Sequence, residues 1–233
     1  MPLIPLIDDL VTESVPAGSN ILVEFAGASQ WYNASLSIAA GWLKSEGKVS
    51  YNTFAQPPDE IRRKLNRLGL NVPEFESEGR LQIVDWYTAT LGQKSKERHK
   101  IDSLKVADLS IRFSSEVMHE PLQLDWMRIA DNISILTRFN DEKICTEFIH
   151  TRIFPGHRLR KSTGIAGYAK GISGGSVYEQ LEAAVEGIVD FKLEEAEGEV
   201  VNFIRIRTMR EIGFQSRWHR LKLSENFEVT IEK

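Results

Sequence analysis

Ile21-Leu22-Val23-Glu24-Phe25-Ala26-Gly27-Ala28-Ser29-Gln30-Trp31-Tyr32-Asn33 is the stretch on which the reading of the fold turns. Its apolar start, Ile21 to Val23, is entered through the turn residues Pro16-Ala17-Gly18-Ser19 and reads as a buried strand. Beyond it Trp31, Ala34, Ile38 and Trp42 recur at helical spacing, which predicts a helix to Ser45 with Gly47 as its stop. A strand, a short turn and a helix make the first unit of an alternating pattern. The next unit is a strand over Val49 to Phe54, the break Pro57-Pro58, and a helix over Asp59 to Leu68 with Ile61, Leu65 and Leu68 on one face.

The alternation continues outward. Leu81 to Val84 is a strand that ends at Asp85, and a polar stretch, Thr88 to Lys100, follows it. Val106, Leu109, Phe113 and Val117 mark a helix, and Met127 to Ala130 is a strand ending at Asp131. A helix through Ile144, Cys145, Phe148 and Ile149 is expected to stop near Pro155-Gly156. Gly164 to Tyr168 is a strand and Val177 to Val185 a short helix. The tail changes character: Ile188 to Leu193 and Val200 to Thr208 read as a hairpin around the acidic turn Glu194 to Gly198, with edge strands at Leu221 to Leu223 and Phe227 to Ile231. This order predicts one α/β domain over residues 1–233, a mostly parallel twisted sheet with helices on both faces and an antiparallel C-terminal edge.

Hydrophobic residues are 42% and charged residues 27% of the 233, which excludes a largely disordered chain. No apolar run approaches the ~18–20 residues of a membrane helix. A single cysteine, Cys145, excludes an internal disulfide and any multi-cysteine metal site, and suits a reducing cytoplasm. The formal net charge of -4 does not suggest a dedicated nucleic-acid binder.

The order and punctuation of the chain resemble the KaiC/RadA-like branch of the RecA superfamily of ATPases. The resemblance is carried by the lead-in Ile7-Asp8-Asp9-Leu10, the turn Pro16-Ala17-Gly18-Ser19, Pro57-Pro58-Asp59-Glu60-Ile61, and Glu78-Gly79-Arg80-Leu81-Gln82-Ile83-Val84-Asp85. It resumes at Arg128-Ile129-Ala130-Asp131, Glu179-Gln180-Leu181-Glu182, Glu186-Gly187-Ile188-Val189 and Arg205 to Arg210. It implies a RecA-like three-layer fold and a phosphate loop, G-x-x-x-x-G-K-[ST], after the first strand. There the glycines let backbone N–H groups wrap phosphates, the lysine neutralises charge and the hydroxyl holds Mg²⁺.

The chain departs from that pattern in three places. Between Ala26 and Asn33 only Gly27 remains, no lysine occurs between Ser19 and Lys44, and Trp31 or Tyr32 falls at the lysine position. Ala55 and Gln56 stand where the family places the glutamates that activate water, and glutamine cannot accept a proton from water at neutral pH. Thr208-Met209-Arg210 retains only the arginine of the family's Lys-x-Arg finger. Asp131 stands at the position of the Mg²⁺-orienting aspartate, although a strand-end aspartate more often caps a turn or helix. The degenerate nucleotide site is therefore read as Ala26, Gly27, Trp31, Tyr32, Asn33, Ala55, Gln56 and Asp131, with no catalytic residue, no metal site and no cofactor. ATP and Mg²⁺ belong to the alternative, an ATPase that holds phosphates in another way.

The expected function is that of a catalytically inactive KaiC/RadA-like protein that acts by protein contacts in an archaeal or bacterial cell, in signalling or the regulation of recombination. The partner is an active paralogue or a second copy of the chain. Arg205, Arg207, Arg210, Arg217, Trp218 and Arg220 form the candidate partner surface, because arginine and tryptophan are enriched at binding hot spots. A DNA-binding accessory factor is the other alternative. It would draw on that tail, on Lys94, Lys96, Arg98, His99 and Lys100, or on Arg152, His157, Arg158, Arg160 and Lys161; the last two runs read first as solvated surface. Gly171 to Ser176 reads as a turn, and His99, His119, His150, His157 and His219 show no metal-ligand spacing.

Overall fold

The computed structural model describes residues 3–117, 121–196 and 198–232. Ten strands form one sheet: β1 (Asn20–Phe25), β2 (Lys48–Thr53), β3 (Leu81–Asp85), β4 (His99–Lys100), β5 (Trp126–Ala130), β6 (Thr163–Ala169), β7 (Gly187–Ala196), β8 (Glu199–Met209), β9 (His219–Leu223) and β10 (Val229–Ile231). Their order is β10-β9-β8-β7-β1-β6-β5-β2-β3-β4. Pairing is parallel from β4 through β7 and antiparallel from β7 through β10. The helices are α1 (Trp31–Lys44), α2 (Pro58–Arg67), α3 (Val72–Ser77), α4 (Tyr87–Thr90), α5 (Val106–Arg112), α6 (Glu142–Phe148), α7 (Phe154–Arg160) and α8 (Gly175–Ala183).

Strand alternation sorts the core into two layers. Ile21, Val23 and Phe25 join Val49, Tyr51, Ile83 and Ile129 under α1, α2 and the N-terminal segment, where Ile4, Leu6, Ile7 and Leu10 are buried. Leu22 faces the other way, with Ala166, Tyr168 and Ile188, under α5, α6, α7 and α8. The predicted layers and the antiparallel edge are both present.

Several local expectations need correction. Helix α1 ends at Lys44, and Glu46, not Gly47, takes the left-handed conformation (φ 65°). Gly47 serves another end: a Cβ there would lie 2.2 Å from the Trp42 indole nitrogen. The helix through Cys145 does not stop at Pro155-Gly156. It widens into a π-helical turn at Ile149–Ile153 and continues as α7, ending at Lys161 with φ 55°. The wide turn receives Pro155, which lacks an N–H and cannot sit in an ordinary helix interior. The expected helix at Val106 likewise becomes α5 followed by a second π-helical turn, Phe113–Val117.

The basic run beside Pro155 is divided: Arg152, Arg158 and Lys161 are exposed as expected, whereas α7 turns His157 and Arg160 inward. His157 and Arg160 are buried, and the His157 Nδ1–H donates to Asn20 Oδ1 at 2.7 Å. The stretch Thr88 to Lys100 holds α4 and the edge strand β4. Arg62 pins its middle by pairing with Glu97 at 2.6 Å and with Glu76 at 2.9 Å. Of the last two edge segments the second is short, starting at Val229 after Phe227 with φ 66°. Cys145 lies in the second core layer, where burial pushes its thiol up to about 11, as suits an inert buried group. His119 and Glu197 lie outside the described residues.

The tail arginines are the largest correction. Residues 200–208 are an edge only in part: β9 covers β8 at Asn202 to Ile204, and β10 lies outside β9. Ile204 and Ile206 enter the core as expected. Arg205 and Arg207 close over a buried carboxylate, Asp190 on β7. Arg205 Nε reaches it at 2.8 Å, Arg207 Nη2 at 2.5 Å and Lys170 Nζ at 2.8 Å. Arg207 also pairs with Glu24 and Glu182, both at 2.6 Å. The acids lie on β7, β1 and α8. Arg210 donates to the Ala183 carbonyl at the end of α8, and Arg220 pairs with Glu232. Trp218 is stacked by Lys192 and Arg205, and Arg217 remains exposed.

Three cations hold the Asp190 carboxyl down at about 2, against the pull of its burial. Its free pKa is ~3.9. Its stabilising contribution is therefore complete above pH ~4 and is lost as pH falls towards 2. Asp190→Asn should cost about 3–5 kcal/mol at neutral pH, as for removal of one partner of a buried pair. It should also flatten the acid limb of stability between pH 4 and 2, which urea denaturation at stepped pH will read.

Candidate functional site

The candidate site lies where β1, β2, β5 and β6 meet the start of α1. Residues 26–30 link β1 to α1. The Ala26 amide donates to the Phe191 carbonyl at 3.2 Å, and the Ser29 amide turns back to the Ala26 carbonyl at 2.8 Å. Asn202 on β8 accepts the Gln30 amide at 3.0 Å, and Asn33 donates to the Gln30 side chain at 2.8 Å. The loop is thus tied to its own ends and to β7 and β8.

Trp31, the first residue of α1, is wholly buried. Its ring packs against Phe25 and Phe191, with centroids 6.1 and 5.5 Å away. Its indole N–H donates to the Asp131 carbonyl at 2.6 Å. Space for the ring comes from Gly167 on β6: a Cβ there would lie 2.3 Å from the indole nitrogen and 2.4 Å from the Asp131 carbonyl oxygen. Gly167 escaped the sequence reading, although a glycine inside a strand is the usual mark of such a close approach. Tyr32 is half-buried, edge-on to Phe25 at 5.4 Å, and its hydroxyl accepts from Asn132 at 3.1 Å.

The Asp131 carboxylate is buried and turned to the other side of its backbone. It accepts the Phe54 amide at 2.8 Å, the Ala55 amide at 3.3 Å and the Thr53 hydroxyl at 3.4 Å. It therefore caps the turn that leaves β2, a neighbouring strand, and not the helical turn that follows it in sequence. Gln56 faces α2, where its side-chain oxygen accepts from Lys64 at 2.8 Å, and its carbonyl accepts from Thr53. Desolvation outweighs the donors at Asp131 and pushes the carboxyl up to about 7. The structure thus brings Ala26, Gly27, Trp31, Tyr32, Asn33, Ala55, Gln56 and Asp131 into one region. Arg205 and Arg207 lie across β1 and β7 from it, held by Asp190 and Glu24. The sequence reading missed those two acids. A charged residue between Val189 and Phe191 of a buried strand was the available signal.

A family model described as an ATPase, KaiC, matches residues 3–233. Among curated proteins, a UPF0273 protein of Methanopyrus kandleri is 24% identical over 246 residues, covering 99% of this chain and 91% of its own length. A UPF0273 protein of Thermotoga maritima is 22% identical, covering 95% of this chain and 91% of its own length. The solved structure of a KaiC-like protein from Pyrococcus horikoshii superposes with a TM-score of 0.71 and 16% identity, over 100% of this chain and 97% of the other. That of the flagellar accessory protein FlaH from Methanocaldococcus jannaschii gives 0.72 and 16%, over 97% and 94%. At such identity the two structures show the RecA-like fold.

Two outcomes follow from the junction. Trp31→Ala should destabilise the protein by about 3–5 kcal/mol, the range for removing a large buried aromatic. Trp31→Phe should cost about 1–3 kcal/mol, because it leaves the buried Asp131 carbonyl unpaired. Chemical denaturation of both variants measures the difference. Asp131 has its pKa raised on folding, so its contribution is complete below pH ~4 and is lost as pH rises towards about 7. The slope of stability between pH 4 and 7 should flatten in Asp131→Asn relative to the wild type.

Proposed function

This chain belongs to the KaiC family of ATPases, and we propose that it is a member in which the nucleotide site has been converted into a packing junction, so that the protein acts through contacts with other proteins. The observation that carries the reading is Trp31. The first residue of α1 is a buried aromatic hydrogen-bonded to the Asp131 backbone, in a segment with no lysine between Ser19 and Lys44.

The residues present do not fit Mg²⁺–ATP in the manner of the family loop. No lysine stands between Ser19 and Lys44 to neutralise phosphate charge, and Lys170, beside the end of β1, is paired with Asp190. The loop amides of Ala26, Ser29 and Gln30 are bonded to protein carbonyl and amide oxygens. The Asp131 oxygens are engaged by Phe54 and Ala55, and no carboxylate stands at Ala55 or Gln56 to activate water. Phosphoryl transfer depends on positioning and electrostatics, and these are the parts that supply both.

The proposed partner is an active relative or a second copy of this chain, in a signalling or regulatory role. The contact surface narrows to the outer antiparallel edge. Arg205, Arg207 and Arg210 have partners inside the molecule, whereas Arg217 is exposed and β10 ends the sheet. An outermost strand offers backbone N–H and C=O groups to a partner strand, and in β10 the Val229 N–H is already held by the Ser37 hydroxyl. Among the described residues no helix is long and apolar enough to cross a membrane.

Calorimetric titration with ATP and MgCl₂ tests the reading. The expected result is no binding isotherm at nucleotide concentrations up to the millimolar range and no turnover of labelled ATP. A micromolar, Mg²⁺-dependent isotherm would overturn it.

A further inference from the structure

The second face of the sheet is not packed throughout. In a parallel sheet covered on both sides, strands usually read as continuous apolar runs. Strands β2, β3 and β5 depart from this. Val49, Tyr51, Leu81, Ile83, Met127 and Ile129 point into the first core layer, whereas Ser50, Asn52, Gln82 and Arg128 line the opposite side. There a cavity of about 300 Å³ lies between the sheet and the helices that cover it. That volume is at the lower bound of small-molecule sites.

Three further features converge on the cavity. Both π-helical turns border it, through Phe113 and through Ile149 and Ile153. Such turns occur often at functional sites because they displace side chains from the regular ladder. An aromatic wall is formed by Phe54 and Trp86, stacked with centroids 4.5 Å apart, and the Trp86 indole N–H is held by Asn52 at 2.9 Å. The cationic side chains of the lining are Arg98 and Lys100 at the β4 edge, with Arg112, Arg128 and Arg160 further round it; His99 and His157 line it as well. Among the described residues no Asp or Glu lines it. Burial first, then the nearby Arg128, Arg160 and Arg158, hold the His157 imidazole well below its usual value and hence neutral.

We propose that this cavity binds a small organic anion, with a flat apolar body against Phe54 and Trp86 and a phosphate or carboxylate group at Arg98, His99 and Lys100. The site lies across the sheet from α1 and Trp31, and it adjoins the Asp131 region only at Phe54 and Ala130. The short edge strand β4 carries the cationic group and rests on β3 at Val84 and Asp85.

The probes are 1-naphthyl phosphate, 1-naphthoate, neutral 1-naphthol and cationic 1-naphthylmethylamine, titrated by calorimetry into the full chain. The expected order is an anion bound at least tenfold more tightly than naphthol, with the amine weakest. The phosphate and carboxylate arms separate the two anion types. Arg98→Glu should weaken the preferred anion by tenfold or more, and Arg98→Lys should largely restore it. Arg98 is exposed, so both variants should keep the wild-type melting temperature, which confirms that loss of binding is not loss of fold. The inference fails if no probe binds at millimolar concentration, if the amine binds as well as the anions, or if Arg98→Glu binds like the wild type.

Discussion

The hydrogen bond from the Trp31 indole to the Asp131 carbonyl, made across Gly167, is the contact on which the centre of the molecule depends. It joins the start of α1 to the end of β5 over the surface of β6. The same aspartate grips the turn after β2 with its carboxylate. One residue therefore connects three elements that are distant in sequence. An unpaired carbonyl or carboxylate at this depth would be costly, so each of its donors holds the others in place. The ring of Trp31 fills this corner, packed against Phe25 and Phe191.

A second set of polar contacts organises the other side of β1. Asp190 is a buried carboxylate in an apolar strand, and its ionised form is tolerable only because Lys170, Arg205 and Arg207 converge on it. Arg207 extends the seam to Glu24 and Glu182, which ties β1, β7, β8 and α8 together. The antiparallel hairpin is thereby fixed to the parallel sheet by charge as well as by Ile204 and Ile206 in the core. These arginines share one face of β8, as their spacing requires, but that face is turned over the body of the protein.

The two faces of the sheet serve different ends. The first is closed by apolar packing under α1 and α2. The second is closed at one end by Tyr168, Val177 and Leu181, and left hollow over β2, β3 and β5, where the strands present polar side chains. Two π-helical turns and a basic edge strand frame the hollow. A wide helical turn costs backbone regularity, and in this fold both occur along the same cavity.

Local chemistry made much of this legible in the sequence. Period-two and helical apolar spacing located most of the strands and helices, and turn residues bounded them, because both signals act within a few residues. That no lysine lies between Ser19 and Lys44 is likewise plain in the chain. What only the tertiary structure decided is which strands become neighbours. The order β10-β9-β8-β7-β1-β6-β5-β2-β3-β4 places Asp190 beneath Arg205 and Arg207, Gly167 beneath Trp31, and Asp131 beside the turn after β2. Pro155 was read as a helix stop because propensity describes an ordinary helix, whereas packing stabilised a π-helical turn that accommodates it. Pairing between distant segments, and the cavity left where packing stops, are properties of the assembled sheet and have no local signature.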